Sequence, residues 1–368
     1  MKRLLIVISL VLLPLILSSQ IILTWEGQNY IDTICTNVNG FSVPRTEKTT
    51  FTFKNNYVQT CNTNGYMLQA GHESPSTILD NKLDGEHIIG NKFAWKGDQN
   101  VATITHGIFT GYQNNVRIMY NYLDYVPMGI IRKSNGMTDT TGVVAYNIIR
   151  NPPATGIAIK GMNGVRVYNN TFYSEDSVYV SGGTGTWRGL IDVYKNDNPV
   201  ADAKYVKIKN NIFYTKNRII NVNVMDTACL QGFECDYNIY WCEAGEPVFR
   251  IAGVQLTLAQ WRERGYDTHS QVMNPYFINT KDLVPSYRMQ WGTPTEFDMG
   301  IACNETWATG FDLNLVKQNG YWQQGARIYE GNMVIFYNKG RVISGDTINI
   351  PLKYGKITVE QGEIIIQN

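Results

Sequence analysis

Two rows of short repeated strands, in phase along the chain, predict an all-β fold: a parallel β-helix (solenoid) with a small C-terminal β tail. Three observations carry that expectation. An alternating apolar segment ending in Asn recurs at Asn56, Asn91, Asn121, Asn147, Asn170, Asn211 and Asn238, spaced 35, 30, 26, 23, 41 and 27 residues apart. A second series opens on Gly, at Gly65, Gly107, Gly129, Gly156 and Gly189, each a comparable distance before the next Asn segment. The chain is also short of ions: 17% of its 368 residues are charged, with 33 Gly and 23 Tyr, against about 25% charge in an average soluble domain.

The N-terminus comes first. Lys2 and Arg3 precede an apolar run from Leu4 to Leu17, followed by Ser18, Ser19 and Gln20. That order of charged, apolar and small residues predicts a signal peptide over 1–19, cleaved near Ser19. An uncleaved anchor is the alternative, because Ile21–Leu23 lengthens the apolar stretch toward bilayer-spanning size. Cleavage predicts a protein that is secreted, periplasmic or displayed at the cell surface, with no stable membrane insertion afterwards.

Residues 20–328 form the predicted solenoid and its closing segment. The clearest Asn segments are Phe51-Thr-Phe-Lys-Asn-Asn56, Val165-Arg-Val-Tyr-Asn-Asn170 and Val206-Lys-Ile-Lys-Asn-Asn211. Alternation with period two means a strand with one buried face. Asn at the strand end suits a turn that needs positive φ, and stacked Asn side chains can hydrogen-bond in a ladder. Repeats of this length without helices are the pattern of a solenoid. A β-sandwich would instead show hairpin turns every 8–12 residues or so. The longest spacing predicts a loop insertion between Ser174 and Lys204. Beyond the repeats, Thr257-Leu-Ala-Gln260 reads as a capping box opening a short helix that Gly265 ends. Residues 329–368 hold short alternating stretches and form the predicted tail.

Export allows the six cysteines up to three disulfides, whose pairing the sequence leaves open; buried thiols are the alternative. No C-x-x-C or H-x-x-x-H pair suggests zinc. With 32 Lys+Arg against 31 Asp+Glu, the chain lacks the clustered positive charge that nucleic acid binding requires. A monomer is expected.

The N-N-x-F and G-I-x-I elements resemble the right-handed parallel β-helix proteins of the pectate-lyase-like superfamily, clearly over Thr50–Tyr240 and more loosely to about residue 330. This resemblance implies a long flat sheet suited to an extended polysaccharide. Aligned on their Gly residues, the strands place Gln69, Gly111, Lys133, Lys160 and Val193 in one outward row, with Lys133 and Lys160 one repeat apart, about 4.8 Å. Asn64, His106, Met128, Thr155 and Arg188 border it. Two ammonium groups that close depress each other's pKa, which favours a general base. Gly129-Ile-Ile-Arg-Lys133-Ser resembles the Lys-bearing strand of the chondroitinase B and alginate lyase family. By that resemblance Lys133 would abstract the C5 proton of a uronate, with an Arg such as Arg132 or Arg188 assisting and calcium neutralising the substrate carboxylate. Asp192 is the one carboxylate in the aligned strands and the candidate metal ligand; Asp80, Asp84 and Glu86 form a second acidic group. Hydrolysis would need paired carboxylates, which the sequence does not show. The expected function is a secreted carbohydrate-active protein acting on acidic extracellular polysaccharide by β-elimination. The alternative is a non-catalytic surface or adhesion protein that binds glycans through the same face. A phage-like spike is disfavoured by the signal peptide.

Overall fold

The computed structural model describes residues 21–26, 28–31, 40–43, 49–61, 65–71, 88–97, 105–113, 115–139, 141–175, 189–197, 200–303, 313–318, 322–329, 356–360 and 363–367. The predicted signal segment, Arg188, the Asp80/Asp84/Glu86 group and most of the tail lie outside them. The described chain is nearly all β, with one short helix, Leu258–Arg262, and one 3-10 turn, Thr227–Leu230. Three long sheets, of eight, nine and nine strands, take successive strands in rotation, and up to Gly189–Tyr194 each strand pairs with the one three further on; the small Asn196–Asp197 and Val200–Ala201 pair then interrupts the count. Apart from one antiparallel edge strand, Val254–Thr257, the pairing within these sheets is parallel. The arrangement is consistent with a β-solenoid. Ile21–Glu26, directly after the apolar N-terminal run, pairs in parallel with Thr49–Lys54.

The inward positions of all three sheets meet in one core. Ile118 and Val144 from the first sheet, Phe93 and Phe172 from the second, and Ile130 and Ile157 from the third are each no more than 1% exposed. Aromatic rings repeat in register there: Phe172 stacks on Phe213 at 4.8 Å and Phe213 on Tyr240 at 4.9 Å.

The seven asparagines form a continuous buried ladder. Each Nδ2 donates to the next Oδ1, from Asn56 to Asn91 (3.1 Å), Asn121 (2.9 Å), Asn147 (2.9 Å), Asn170 (2.9 Å), Asn211 (3.0 Å) and Asn238 (3.1 Å). Each rung's backbone N–H donates to the same oxygen. Asn238 ends the ladder on Asp267, 2.9 Å away. Sequence reasoning assigned positive φ to these asparagines, and the structure corrects it by one residue. The left-handed positions are their predecessors Asn55, Gly90, Tyr120, Tyr146, Asn169, Asn210 and Tyr237, with φ between 54° and 67°. The bend occurs there, and the following Asn turns inward.

A left-handed Tyr is unfavourable by about 1–2 kcal/mol, and its side chain supplies a compensating contact. The Tyr120 hydroxyl donates to Met299 O (2.9 Å) and that of Tyr146 to Phe297 O (2.7 Å). Asn169 and Asn210 likewise donate to Gln323 O and Thr293 O. Described residues of the closing segment, among them Thr293, Phe297, Met299 and Gln323, therefore run along this corner. Their Leu283, Ile301, Ala326 and Ile328 build a second apolar core on outward residues of the first two sheets, among them Met119, Ala145 and Ile148. The outward apolar cluster of the third sheet contains no described residue of that segment.

At the end of the solenoid-like stack a short helix packs Leu258 and Trp261 onto the core. The Thr257–Gln260 capping box forms, and Gly265 turns the chain away at φ +87°. Buried Asp267 accepts from Trp261 Nε1 (2.7 Å) and the Tyr240 hydroxyl (2.9 Å). Cys61 is disulfide-bonded, whereas Cys229, Cys235, Cys242 and Cys303 are free thiols. The long Asn170–Asn211 spacing contains a regular third-sheet strand, Gly189–Tyr194, and a small antiparallel pair, Asn196–Asp197 with Val200–Ala201. Of the tail, the structure describes an antiparallel pair, Lys356–Glu360 with Glu363–Gln367. Among the described residues no helix is long and apolar enough to cross a membrane.

Candidate functional site

The candidate face is the outer side of the third sheet, built from Tyr66–Gly71, His106–Gly111, Met128–Lys133, Thr155–Lys160 and Gly189–Tyr194. The repeating Gly residues explain the close strand approach. A Cβ at Gly129 would lie 2.4 Å from Gly156 O, so no side chain fits there. Lys133 and Lys160 are direct register partners, as the sequence implies. The full row differs at its ends: Gly71, Gly111, Lys133, Lys160 and Tyr194 align, while Gln69 belongs one outward row earlier and Val193 points into the core. In the bordering row Tyr66, His106, Met128 and Thr155 are register partners, and Asn64 lies outside the described residues.

Both lysines are half-buried. Lys160 Nζ lies 3.7 Å from Asp197 Oδ2 and 5.4 Å from the Tyr194 ring centroid. A carboxylate and an aromatic face thus offset the Lys133–Lys160 repulsion on which the general-base expectation rested. The neighbouring outward row, Phe109, Ile131, Ala158, Asp192 and Asn223, is at most 3% exposed. The lysines stand at the margin of a shielded apolar strip, not on an open platform.

Arg132 requires a correction. It alternates with Lys133, so it points inward, in register with the core residues Ile159 and Val193. Fully buried, it forms an ion pair with equally buried Asp139 and donates to Thr110 Oγ1 at 2.8 Å. Asp139 also accepts from the backbone N–H groups of Asn115 (2.7 Å) and Gly142 (3.0 Å). Arg132 therefore holds the loop after its strand and does not assist Lys133 on the outer face.

Asp192 is buried and accepts from Asn223 Nδ2 at 2.7 Å. Among the described residues no group of three His, Cys, Asp or Glu side chains gathers to hold a metal. Those residues do not fit calcium.

His106 lies on the face with its ring stacked on Tyr66 at 4.8 Å and edge-on to Phe109 at 5.7 Å. Burial pushes its pKa down to about 4, with the Lys133 charge adding to the effect against a backbone contact to Gly65. The imidazole is neutral at pH 7. Unfolded, a His titrates near 6.5, so this group's contribution to stability is complete above that value. It is lost as pH falls from about 6.5 toward 4, by at most about 3 kcal/mol. Denaturant unfolding at pH 7 and at pH 4.5 should show His106→Gln losing less stability than the wild type over that interval. Equal losses would mean that the ring is not held neutral.

No protein-family model, curated protein or solved structure matches the chain.

Sequence reasoning missed an alternating charge series on the second sheet. Arg150 pairs with Asp124 (2.6 Å), and both Arg150 and Lys216 come within 4.0 Å of Glu175. Stacked Tyr173 and Tyr214, 5.0 Å apart, donate to Glu175 and Glu243. Asp124, Arg150, Tyr173 and Tyr214 each fall three residues after a ladder Asn, so the repeat spacing contained the signal. On the first sheet Lys207 and Lys209 both pair with Glu234 (2.9 and 2.6 Å). Much of the small charge complement is thus neutralised from one repeat to the next.

Proposed function

We propose that this chain is a secreted or surface-displayed carbohydrate-binding protein. In this reading it is a right-handed parallel β-helix of the pectate-lyase-like kind that engages an acidic extracellular polysaccharide through the third sheet. The observation that carries the reading is the in-register Lys133–Lys160 pair. Two cations on adjacent strands, about 4.8 Å apart, match a ligand that repeats its own carboxylates along an extended chain. The Cys61 disulfide suits an oxidising compartment.

β-Elimination is a second reading, favoured by one observation: the imidazole of His106, held neutral by burial, lies on the same face as Lys133, at the opposite end of the adjacent strand. In that chemistry Lys133 or His106 would take the proton α to the uronate carboxylate, and the leaving oxygen would depart as the double bond forms.

Calorimetric titration with alginate, pectate and chondroitin sulfate tests the binding. Lys133→Ala and Lys160→Ala should each weaken it by about fivefold, the effect of one partly exposed ion pair, with all affinities falling as salt rises. Unchanged affinities in both variants would contradict the assignment. Ultraviolet absorbance from an unsaturated uronate product, measured with and without calcium, separates the readings. Its appearance with wild type and its loss in Lys133→Ala would establish elimination, and its absence across the panel would leave binding alone.

A further inference from the structure

A half-buried lysine on the outer face of the second sheet lies between two aromatic rings. Lys92 stands in register with Tyr57 on one neighbouring strand and Tyr122 on the other. Its Nζ lies over both rings, 5.5 Å from the Tyr57 centroid and 5.8 Å from that of Tyr122. Both hydroxyls donate elsewhere, to Gln59 Oε1 (2.6 Å) and Lys281 O (2.9 Å), so the rings offer Lys92 their faces. Three other half-buried lysines, Lys160, Lys204 and Lys209, each have a carboxylate within 4.0 Å, those of Asp197, Asp202 and Glu234. Among the described residues Lys92 has neither an ion pair of that kind nor a side-chain hydrogen bond.

Four charged side chains act on Lys92. Lys96 follows its own strand, and Lys281 belongs to the closing segment, where Tyr122 holds its backbone oxygen. Asp124 and Asp282 oppose these cations, and Asp124 already carries Arg150 at 2.6 Å. Partial burial pushes the Lys92 pKa down, Lys281 and Lys96 push it further, and Asp124 and Asp282 offset only part of this. The ring faces favour the charged form, but they supply no acceptor for its three N–H donors. Burial there strips water from the ammonium without replacing it. A partly desolvated amine beside further ammonium groups is the arrangement that makes lysine a nucleophile toward carbonyl carbon.

We propose that Lys92 is a covalent site for aldehydes, which it takes up as an imine between the Tyr57 and Tyr122 rings. The neutral amine attacks the carbonyl carbon, and a C–N bond forms as the carbonyl π electrons pass to oxygen. The oxygen takes up one proton that the nitrogen loses, giving a carbinolamine. The C–O bond then breaks as the C=N bond forms, and both amine hydrogens leave with the oxygen as water. No oxidant or reductant enters. A free small aldehyde and the open-chain end of a reducing sugar carry this same carbonyl. The site lies on a different sheet from Lys133 and Lys160 and does not rest on the reading of that face.

The test exposes the full chain at pH 7 to glycolaldehyde or to galacturonate, each with cyanoborohydride to fix an imine as a secondary amine. Peptide mass spectrometry at low conversion then compares the lysines. Lys92 should be modified about fivefold faster than Lys96, Lys281 or Lys317, although all three are more exposed, and the compound that labels it names the source. Lys281→Met removes a neighbouring cation and keeps the backbone oxygen that Tyr122 holds. It should slow the labelling of Lys92 about threefold at pH 7 and leave it unchanged near pH 11, where the amine is neutral in both proteins. A merely structural role of Lys281 would not produce that pH dependence. Labelling of Lys92 no faster than of the exposed lysines with both compounds, or an unchanged rate in Lys281→Met at pH 7, would overturn the proposal.

Discussion

Replacing Asn147 with Ala should destabilise the protein by about 5 kcal/mol, the largest loss expected from any single side chain of this size here. Asn147 sits mid-ladder and is fully buried. Its Oδ1 accepts from Asn121 N and Nδ2 (3.0 and 2.9 Å), and its Nδ2 donates to Ile118 O and Asn170 Oδ1 (both 2.9 Å). Ala would fill none of these roles. Several groups would lose a partner where water is scarce, at about 1–3 kcal/mol each. Chains of hydrogen bonds also polarise one another, so an interior break disturbs its neighbours. The same reasoning grades the ladder: Asn121, Asn170 and Asn211 should behave like Asn147, and terminal Asn56 should matter less. Denaturant midpoints across the series check this. A flat series at about 1 kcal/mol would mean that the ladder is ornamental.

That ladder was legible in the sequence because its spacing is visible without knowing the fold. The left-handed residue was misplaced by one because Asn is the ordinary occupant of that region, and here tyrosines stand in it. Their presence makes sense only with the closing segment, since Tyr120 and Tyr146 hold Met299 and Phe297. No local pattern announces a contact across more than a hundred residues. Arg132 was misread for a related reason. The rule that inward positions are apolar placed both isoleucines of Gly156-Ile-Ala-Ile correctly. In Gly129-Ile-Ile-Arg the equivalent inward position is a charge with a buried partner seven residues on. The Lys133–Lys160 pairing was legible because Gly set the phase of both strands. The shielding of the neighbouring strip was not, because strand alternation says which way a side chain points and not what covers it.

The second large effect is at that buried ion pair. Asp139→Ala should destabilise the protein by about 4 kcal/mol, because it leaves the Arg132 guanidinium charged and uncompensated in the core. Arg132→Ile alone should be costly in the same sense, stranding Asp139. The double variant Arg132→Ile/Asp139→Asn should recover most of the loss. Ile is the residue already present at the register partner Ile159, and Asn retains an acceptor for the Asn115 and Gly142 amides. A double-mutant cycle by denaturant unfolding measures the coupling. Strictly additive losses would show that the pair does not act as a unit. Glycan affinity of the folded double variant should equal that of the wild type, since Arg132 does not reach the outer face. A selective loss of affinity would return Arg132 to the binding site.

The location of the glycan face is the central functional claim, and hydrogen exchange by mass spectrometry with and without an acidic polysaccharide tests it most directly. The expected result is protection concentrated in His106–Gly111, Met128–Lys133 and Thr155–Lys160, abolished in Lys133→Ala/Lys160→Ala. Protection confined to the second-sheet strands Thr171–Ser174 and Ile212–Thr215, or unchanged in the double variant, would contradict it.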